Sequence, residues 1–272
     1  MTSHEGTRPA TTTARSTDAA PPRRSALDRA IAMRLAGTEY QRYGDLLAGL
    51  TPADWSAPTD CPGWDVRMMA AHNLGMARMA ASLVETIRLQ VKADRRARKT
   101  GEQMVDALTA IQIAERTALT PAEIVADYRR TAPRAARGRR RRPGWFRHAR
   151  LPGAQRVNGG DEPWTFGFVI DTILTRDCWM HRVDTSRATG RDPVLTADHD
   201  GTIVADVVAE WSSRYRPAGS LRLTGPAGGT WTFPDPGDTI TLDAVEFCRI
   251  LSGRPATRDA DAAVLGGTEV PF

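Results

Sequence analysis

Residues 165–190 read TFGFVIDTILTRDCWMHRVDTSRATG, and this stretch decides the fold. Its apolar side chains recur at three- and four-residue steps, which predicts an amphipathic helix over residues 165–188. Gly190 follows directly and is a natural helix terminator. The inward-facing stripe of the first half of the helix is aliphatic: Ile170, Ile173 and Leu174. A helix with one such face is typical of a helical bundle.

Ionisable side chains continue this face in the second half of the helix. Asp177, His181 and Asp184 follow the aliphatic stripe at helical steps. Asp177 and His181 are four residues apart, so they lie one above the other on the helix. A carboxylate and an imidazole at this spacing can bind one metal ion, and a buried carboxylate without a partner is costly. The alternative is a simple hydrogen bond along the helix.

His72 lies in another predicted helix, within VRMMAAHNLG at residues 66–75. It borders the apolar side of that helix. If the two helices are neighbours, His72 completes a His–Asp–His set with Asp177 and His181. Three protein ligands leave one position open, which is the pattern of catalytic zinc sites. The alternative interpretation is an ordinary core histidine.

Periodic apolar residues predict further helices in the first two thirds of the chain. They cover residues 27–50, 65–91, 102–119 and a stretch from 121 into an arginine-rich run. We therefore predict a mainly α protein in which residues 25–191 form an antiparallel four-helix bundle. Residues 1–24 are rich in Thr, Ser, Pro and Arg, which predicts a disordered tail.

The sequence pattern changes after residue 191. A helix is predicted over residues 197–213, followed by three short runs in which apolar and polar residues alternate. These runs are separated by GPAGG and PDPGD, which predicts a small antiparallel meander. Asp243 is the predicted N-cap of a last helix. Residues 192–272 are therefore predicted to form a smaller α+β domain.

Positive charge is concentrated in one segment. Residues 129–156 contain eleven arginines and no acidic residue, whereas the rest of the chain has 26 Lys and Arg against 32 Asp and Glu. Such a run usually marks a solvated loop, so we predict an arginine-rich loop over residues 134–156. The less favoured hypothesis is nucleic-acid binding through residues 134–150, with Trp145 and Phe146 stacking on bases.

Other sequence features narrow the class of protein. No run of about 18 apolar residues predicts a membrane span, and no apolar segment follows the first charges as in a secretion signal. The three cysteines, Cys61, Cys178 and Cys248, are scattered, which favours a reducing cytoplasm. Cys178 is expected to pack in the core, and Cys61, in a proline-flanked loop, is a candidate reactive thiol. Three further histidines are expected to be exposed: His4, His148 and His199.

The stretch WSAPTDCPGWDVRMMAAHNLG at residues 55–75 resembles the N-terminal signature of the mycothiol-dependent maleylpyruvate isomerase family, one of the DinB-like metal-binding bundles. RDCWMHRVD at residues 176–184 is similar to the second signature, an acidic residue four positions before a histidine. The stretches GPAGGTWTF and LDAVEFCRILSGR resemble the sterol-carrier-like domain that accompanies this bundle. The resemblance spans about residues 27–272, apart from the arginine-rich loop.

The resemblance implies a ligand set and a cofactor. In that family the metal is zinc, and the matching ligands here are His72, Asp177 and His181. The thiol cofactor is mycothiol. An arginine of the C-terminal domain serves the reaction, and Arg254 is its best match, with Arg249 as the alternative.

The leading hypothesis is a thiol-dependent isomerase or transferase acting on a small electrophilic substrate. Arg254 would hold a substrate carboxylate, and Asp184 would orient His181 from behind. The partners would be this substrate and a low-molecular-weight thiol, with no membrane. The alternative is a catalytically idle protein that binds or senses a metal or small molecule.

Overall fold

The computed structural model describes residues 21–272. Most of the predicted disordered tail, residues 1–24, lies outside the described residues. Its end at residue 24 is a wrong prediction, because the backbone of Arg23 is already part of a sheet edge. The Arg23 N–H donates to the carbonyl of Pro163 at 2.8 Å, and the Thr165 N–H donates to the carbonyl of Arg23 at 3.0 Å.

The predicted mainly α architecture is confirmed. The first part of the chain contains α1 (Arg29–Ala48), α2 (Val66–Ala81), α3 (Leu83–Thr100), α4 (Met104–Ala114), α5 (Pro121–Arg140), α6 (Gly144–His148), β1 (Arg150–Val157), β2 (Gly160–Thr165), α7 (Phe166–Phe168) and α8 (Leu174–Ala188). The second part contains α9 (Thr202–Tyr215), β3 (Ser220–Thr224), β4 (Gly229–Thr232), β5 (Thr239–Asp243), α10 (Ala244–Leu251) and α11 (Asp259–Ala263). Among the helices of residues 21–272, none has the length and apolar composition that a membrane crossing requires.

Four helices, α1, α2, α5 and α8, pack around one another as the bundle. Helix α1 runs antiparallel to α5, because Arg29 at its start donates to the carbonyl of Arg139 at the end of α5. Helix α2 runs antiparallel to α8, because Met69 near its start contacts Thr185 near the end of α8. The other two neighbouring pairs, α2–α5 and α1–α8, run parallel. Arg67 at the start of α2 donates to the carbonyl of Leu119 just before α5, and Arg29 at the start of α1 pairs with Asp171 just before α8.

The predicted single helix over residues 65–91 is two helices. Asp65 caps α2, since its carboxylate accepts a hydrogen bond from the Met68 N–H. Ser82 then adopts an extended conformation, and its hydroxyl accepts from the Glu85 N–H. A serine in this role ends one helix and begins the next. The helical hairpin of α3 and α4 consequently packs outside α2.

The predicted arginine-rich loop over residues 134–156 is wrong. Helix α5 continues to Arg140, and β1 pairs antiparallel with β2. The two strands are joined at Asn158 and Gly159, whose φ angles are 50° and 74°. Two successive positive φ angles define a type I′ turn, for which Asn-Gly is the preferred pair. The arginines of this segment therefore lie on a helix and a hairpin.

The predicted antiparallel meander is wrong in its last strand. The sheet order is β4-β3-β5, with β3 antiparallel to β4 and parallel to β5. Leu221 in the central strand pairs with Trp231 on one side and Ile240 on the other. The proline-rich residues 234–238 carry the chain across the sheet, so the third strand does not form a second hairpin.

The bundle and the C-terminal part share a hydrophobic core. Trp179, Met180 and Val183 on α8 are almost fully buried, and they cluster with Trp211 of α9 and Phe247 of α10. Leu35 of α1 and the apolar side chains of β3 and β5 belong to the same cluster. Helix α8 is therefore buried on both sides, facing the bundle interior on one side and the C-terminal part on the other.

Candidate metal centre

The candidate metal centre lies where α8 faces α2. Asp177 Oδ1 is 3.3 Å from Nε2 of His181, one turn further along α8. The same oxygen is 3.6 Å from Nε2 of His72 on α2. The three side chains offer ligand atoms that all lie within 4.8 Å of one another. The structure thus brings together the three residues that the sequence singled out.

The separations suit coordination better than hydrogen bonding. A strong N–H···O bond spans about 2.9 Å, so contacts of 3.3 and 3.6 Å are long for one. Ligand atoms bound at about 2.0–2.1 Å in a tetrahedral zinc site are about 3.4 Å apart. The Nδ1 atom of His72 is also buried and has no hydrogen-bond partner among the described residues. The donor set therefore fits a small divalent cation.

The electrostatics of the centre favour positive charge. Burial by itself raises the pKa of Asp177, but the imidazoles of His181 and His72 outweigh it and hold the pKa well below its usual range. Burial lowers the pKa of His181, but the carboxylates of Asp177 and Asp184 outweigh it and hold the pKa well above its usual value. The carboxylates thus stabilise a cation at this position, either a proton on imidazole or a metal ion.

Asp184 lies behind His181 and is fully buried. Its Oδ2 atom accepts a hydrogen bond from Nδ1 of His181 at 3.2 Å. The guanidinium of Arg254 donates to the same carboxylate, from Nε at 3.0 Å and from Nη2 at 2.5 Å. A carboxylate that holds the far nitrogen of a histidine fixes its tautomer and ring orientation. Arg254 therefore acts on His181 through Asp184 in this structure.

A turn before α2 covers the two histidines. Gly63 has a φ of 78°, a conformation that favours glycine and reverses the chain at residues 61–64. The Trp64 ring then lies 5.4 Å from the His72 ring and 6.0 Å from the His181 ring, centroid to centroid. Cys61 in the same turn is partly exposed, and its Sγ lies 3.8 Å from Asp184 Oδ2. The proline-flanked loop around Cys61 thus forms one wall of the centre.

Cys178 lies in the core and Cys61 lies in a loop, as their sequence positions indicated. Cys178 is buried in the bundle core, and its Sγ lies 3.5 Å from the hydroxyl of Tyr128. Burial raises the pKa of the Cys178 thiol well above its ordinary value, as expected for a packing residue. Cys61 instead lies within reach of the metal centre.

The expectation that His199 is exposed is wrong. His199 is buried, and its Nε2 lies 2.8 Å from Oε2 of Glu39. Glu39 and Asp200 form with it another acidic and histidine cluster, but Arg182 bridges both carboxylates at 2.6 and 2.7 Å. Arg42 also pairs with Asp200 at 2.6 Å. This cluster already has its cations, so it is an ion-pair network that joins α1 to the start of α9.

The eleven arginines of residues 129–156 have several roles. Arg139 is buried and donates to the carbonyl of Ile170 at 2.8 Å and to the Thr175 hydroxyl at 2.6 Å. Arg147 pairs with the fully buried Asp171. Trp145 is 76% exposed. Part of the positive charge therefore supports the fold, and only the remainder faces solvent.

Comparisons with known proteins identify the family of this chain. The family model for the mycothiol maleylpyruvate isomerase N-terminal domain matches residues 36–186, more than half of the chain. The chain therefore belongs to the mycothiol maleylpyruvate isomerase N-terminal domain family, which confirms the resemblance seen in the sequence. The matched range contains His72, Asp177, His181 and Asp184.

Two solved structures show the same fold. They are the mycothiol-dependent maleylpyruvate isomerase and a mutant of it in which a histidine is replaced by alanine. Each is 18% identical to this chain, with a TM-score of 0.53, over 85% of this chain and 91% of the other. No curated protein matches the chain at a significant level.

Proposed function

We propose that this protein is a metal-dependent enzyme that uses a low-molecular-weight thiol, mycothiol, to isomerise or modify a small electrophilic substrate. The observation that carries the proposal is the separation of the three donor atoms of His72, Asp177 and His181. Their spacing is that of ligands around one ion, and the two histidines lie on different helices. Membership of the family supports the thiol.

Zinc is the metal that this donor set favours. Two imidazole nitrogens and one carboxylate oxygen are borderline ligands, and three protein ligands leave the fourth tetrahedral position open. A bound zinc ion would supply a Lewis acid that favours deprotonation of a thiol near neutral pH. The other contributions come from the side chains around the centre.

Asp184 and Arg254 prepare the centre for this chemistry. With a metal bound, Asp184 would hold the one proton of His181 on Nδ1, so that the Nε2 lone pair is free to bind the metal beside Asp177. Arg254 already uses Nε and Nη2 on Asp184. A bidentate grip on a substrate carboxylate would therefore use the other edge of the guanidinium, which carries Nη1 and Nη2. We propose that Arg254 serves first as a positioning residue that holds Asp184, and that its other edge binds a substrate carboxylate.

The reaction follows from thiol chemistry. Addition of a thiol across an activated carbon–carbon double bond forms a C–S bond and places the proton on the neighbouring carbon. Rotation about the resulting single bond, followed by loss of the thiol, gives the geometric isomer. Without elimination the thioether remains, and the reaction is a thiol transfer. The three unpaired cysteines fit a reducing compartment, so we propose a cytoplasmic protein.

Elemental analysis tests the metal centre directly. The purified wild type is expected to contain about one zinc per chain, as in catalytic sites with three protein ligands. His72→Ala and His181→Ala are each expected to lose it. His148→Ala is the matched control, because His148 is exposed and remote from the other two. Retention of zinc by either of the first two variants would contradict the proposal.

A turnover assay separates the enzyme from the idle binding protein. Wild type loaded with zinc is incubated with mycothiol and small unsaturated acids, and the products are separated as isomer and thioether. Either product, formed only with metal and thiol together, supports the enzyme. Metal-free wild-type protein whose melting temperature changes with neither zinc nor chelator would favour a sensing or binding role without metal.

A further inference from the structure

A second concave surface lies between α1 and α5, away from the metal centre. It is a groove of about 560 Å³, a size in the range of small-molecule sites. Its floor consists of small residues, Gly37, Gly44, Ala132 and Ala136, which lie above the buried rings of Tyr40 and Tyr128. Tyr128 contacts Cys178 of α8 on its other side, so the core of the bundle separates the groove from Asp177.

Each of the two helices has, where it lines the groove, one residue that is unfavourable in the interior of a helix. Gly37 lies in the interior of α1, where glycine is the least favourable residue after proline. A Cβ added at Gly37 would have no atom within 4 Å, so packing does not require a glycine there. Pro133 interrupts α5 and lacks the N–H that would bond to the carbonyl of Arg129. Gly37 therefore leaves open a space that the side chain of an ordinary helical residue would fill.

One wall of the groove carries a row of arginines. Arg129, Arg137 and Arg140 lie on the same face of α5 as Pro133, at spacings of eight and three residues, and they span about 16 Å of helix. Within residues 21–272 their guanidinium groups have no ion pair or hydrogen bond. Asp45 is the acidic residue on the opposite wall. The groove thus combines an apolar floor with a net positive rim.

We propose that the groove between α1 and α5 binds a small anionic amphiphile. Its apolar body, flat or aliphatic, would lie on the small residues of the floor, and its carboxylate or phosphate would be held by Arg137 and Arg140. A guanidinium pairs with both anions through two parallel hydrogen bonds. The short length and the apolar floor favour a small molecule over a nucleic-acid strand, which would follow the exposed arginines along the whole of α5.

A fluorescent naphthalene sulfonate is a suitable probe, since it carries an aromatic body and one anionic group. Saturable binding to full-length wild type at 0.15 M salt is expected, with a Kd raised about tenfold or more by Arg137→Glu, because a charge-assisted hydrogen bond is lost. Arg137→Ala is the milder variant for the case that reversal of charge disturbs folding. Gly37→Leu is expected to abolish binding, because the new side chain enters the groove. Displacement by a long-chain carboxylate or by an aryl phosphate identifies the preferred anion.

Arg134→Glu is the matched control. Arg134 is exposed on the same helix but does not line the groove. Its substitution by Glu changes the charge by the same amount as Arg137→Glu. Its effect on the Kd is expected to be below about twofold because of screening by salt. An equal effect of Arg134→Glu and Arg137→Glu, or displacement by oligothymidylate in preference to both small anions, would overturn the proposal. So would probe binding that survives Gly37→Leu.

The proposed ligand site in the groove and the proposed metal centre can be refuted independently of each other. Arg137→Glu is expected to keep the zinc content of the wild type, and His72→Ala is expected to bind the probe with unchanged Kd. A loss of probe binding in His72→Ala that follows a loss of folding is recognised from its melting curve. If the folded His72→Ala protein does not bind the probe, the second site is refuted.

Discussion

Replacing Asp184 by Asn tests how the protein holds its metal centre. The amide has nearly the same volume but no charge, so the substitution leaves no cavity. Asp184 is fully buried between Nδ1 of His181 and the guanidinium of Arg254. Loss of a carboxylate behind a metal-binding histidine lowers metal affinity about 10- to 100-fold, or about 1.4–2.7 kcal/mol. The zinc Kd of Asp184→Asn is expected to rise by this factor.

The same substitution should also reduce stability. Removal of one partner from a buried ion pair costs about 3–5 kcal/mol, because the other charge stays buried without compensation. The Arg254 side chain is 12% exposed, so the lower end of this range is expected. Adding Arg254→Met to Asp184→Asn should recover part of this loss, since both charges are then absent. It should not restore zinc affinity, because His181 still lacks its carboxylate.

Asp171→Asn provides the matched control. Asp171 lies in the turn that precedes α8 and is as buried as Asp184. It is paired with Arg29 and Arg147 and does not contact the metal centre. Both aspartate variants should lose stability in urea unfolding, while competition titration with a zinc chelator should show weakened affinity only for Asp184→Asn. A folded Asp184→Asn protein whose zinc Kd stays within about twofold of the wild type would refute this reasoning.

Two further predictions concern stability. Gly138→Ala should destabilise the protein by about 1–3 kcal/mol, because the new Cβ would collide with the carbonyl oxygen of Ala80. Gly37→Ala should instead stabilise it by about 1 kcal/mol, and thermal unfolding of the two variants checks both signs. Glu115→Gln should cost about 0.5–1 kcal/mol at pH 7, because hydrogen bonds from Arg88 lower the Glu115 pKa to about 2. A lowered folded pKa stabilises the protein above the unfolded value near 4.5, so urea unfolding should show the difference shrinking as the pH falls from about 5 to 2.

Local signals predicted the helices and their caps. Asp243 accepts hydrogen bonds from the first turn of α10, as its sequence position indicated, and Asp65 and Thr120 do the same for α2 and α5. Asp177 and His181 could be paired from spacing alone, because both lie on one helix. His72 could not, since nothing local states which helix faces α8. Its place in the set came from the resemblance to a family.

Non-local contacts explain the failures. The partner of His199 is Glu39, 160 residues away, so the histidine looked like a turn residue. Apolar and polar residues alternate in the same way in the sequences of β4 and β5. This alternation does not distinguish parallel from antiparallel pairing of strands. The hairpin of β1 and β2 did have a local signal, Asn158-Gly159, which the arginine-rich composition around it obscured.

The packing of α8 predicts that the proposed metal centre depends on the C-terminal part. One face of the helix carries Asp177 and His181, and the other buries Trp179 and Val183 against the core shared with α9 and α10. Arg254, beyond α10, reaches back to the carboxylate that holds His181. A close-packed interior transmits strain, so a side chain that overfills the C-terminal core displaces the elements around it. We therefore expect such a substitution to shift α8 and the two donors on it relative to His72, and to weaken metal binding.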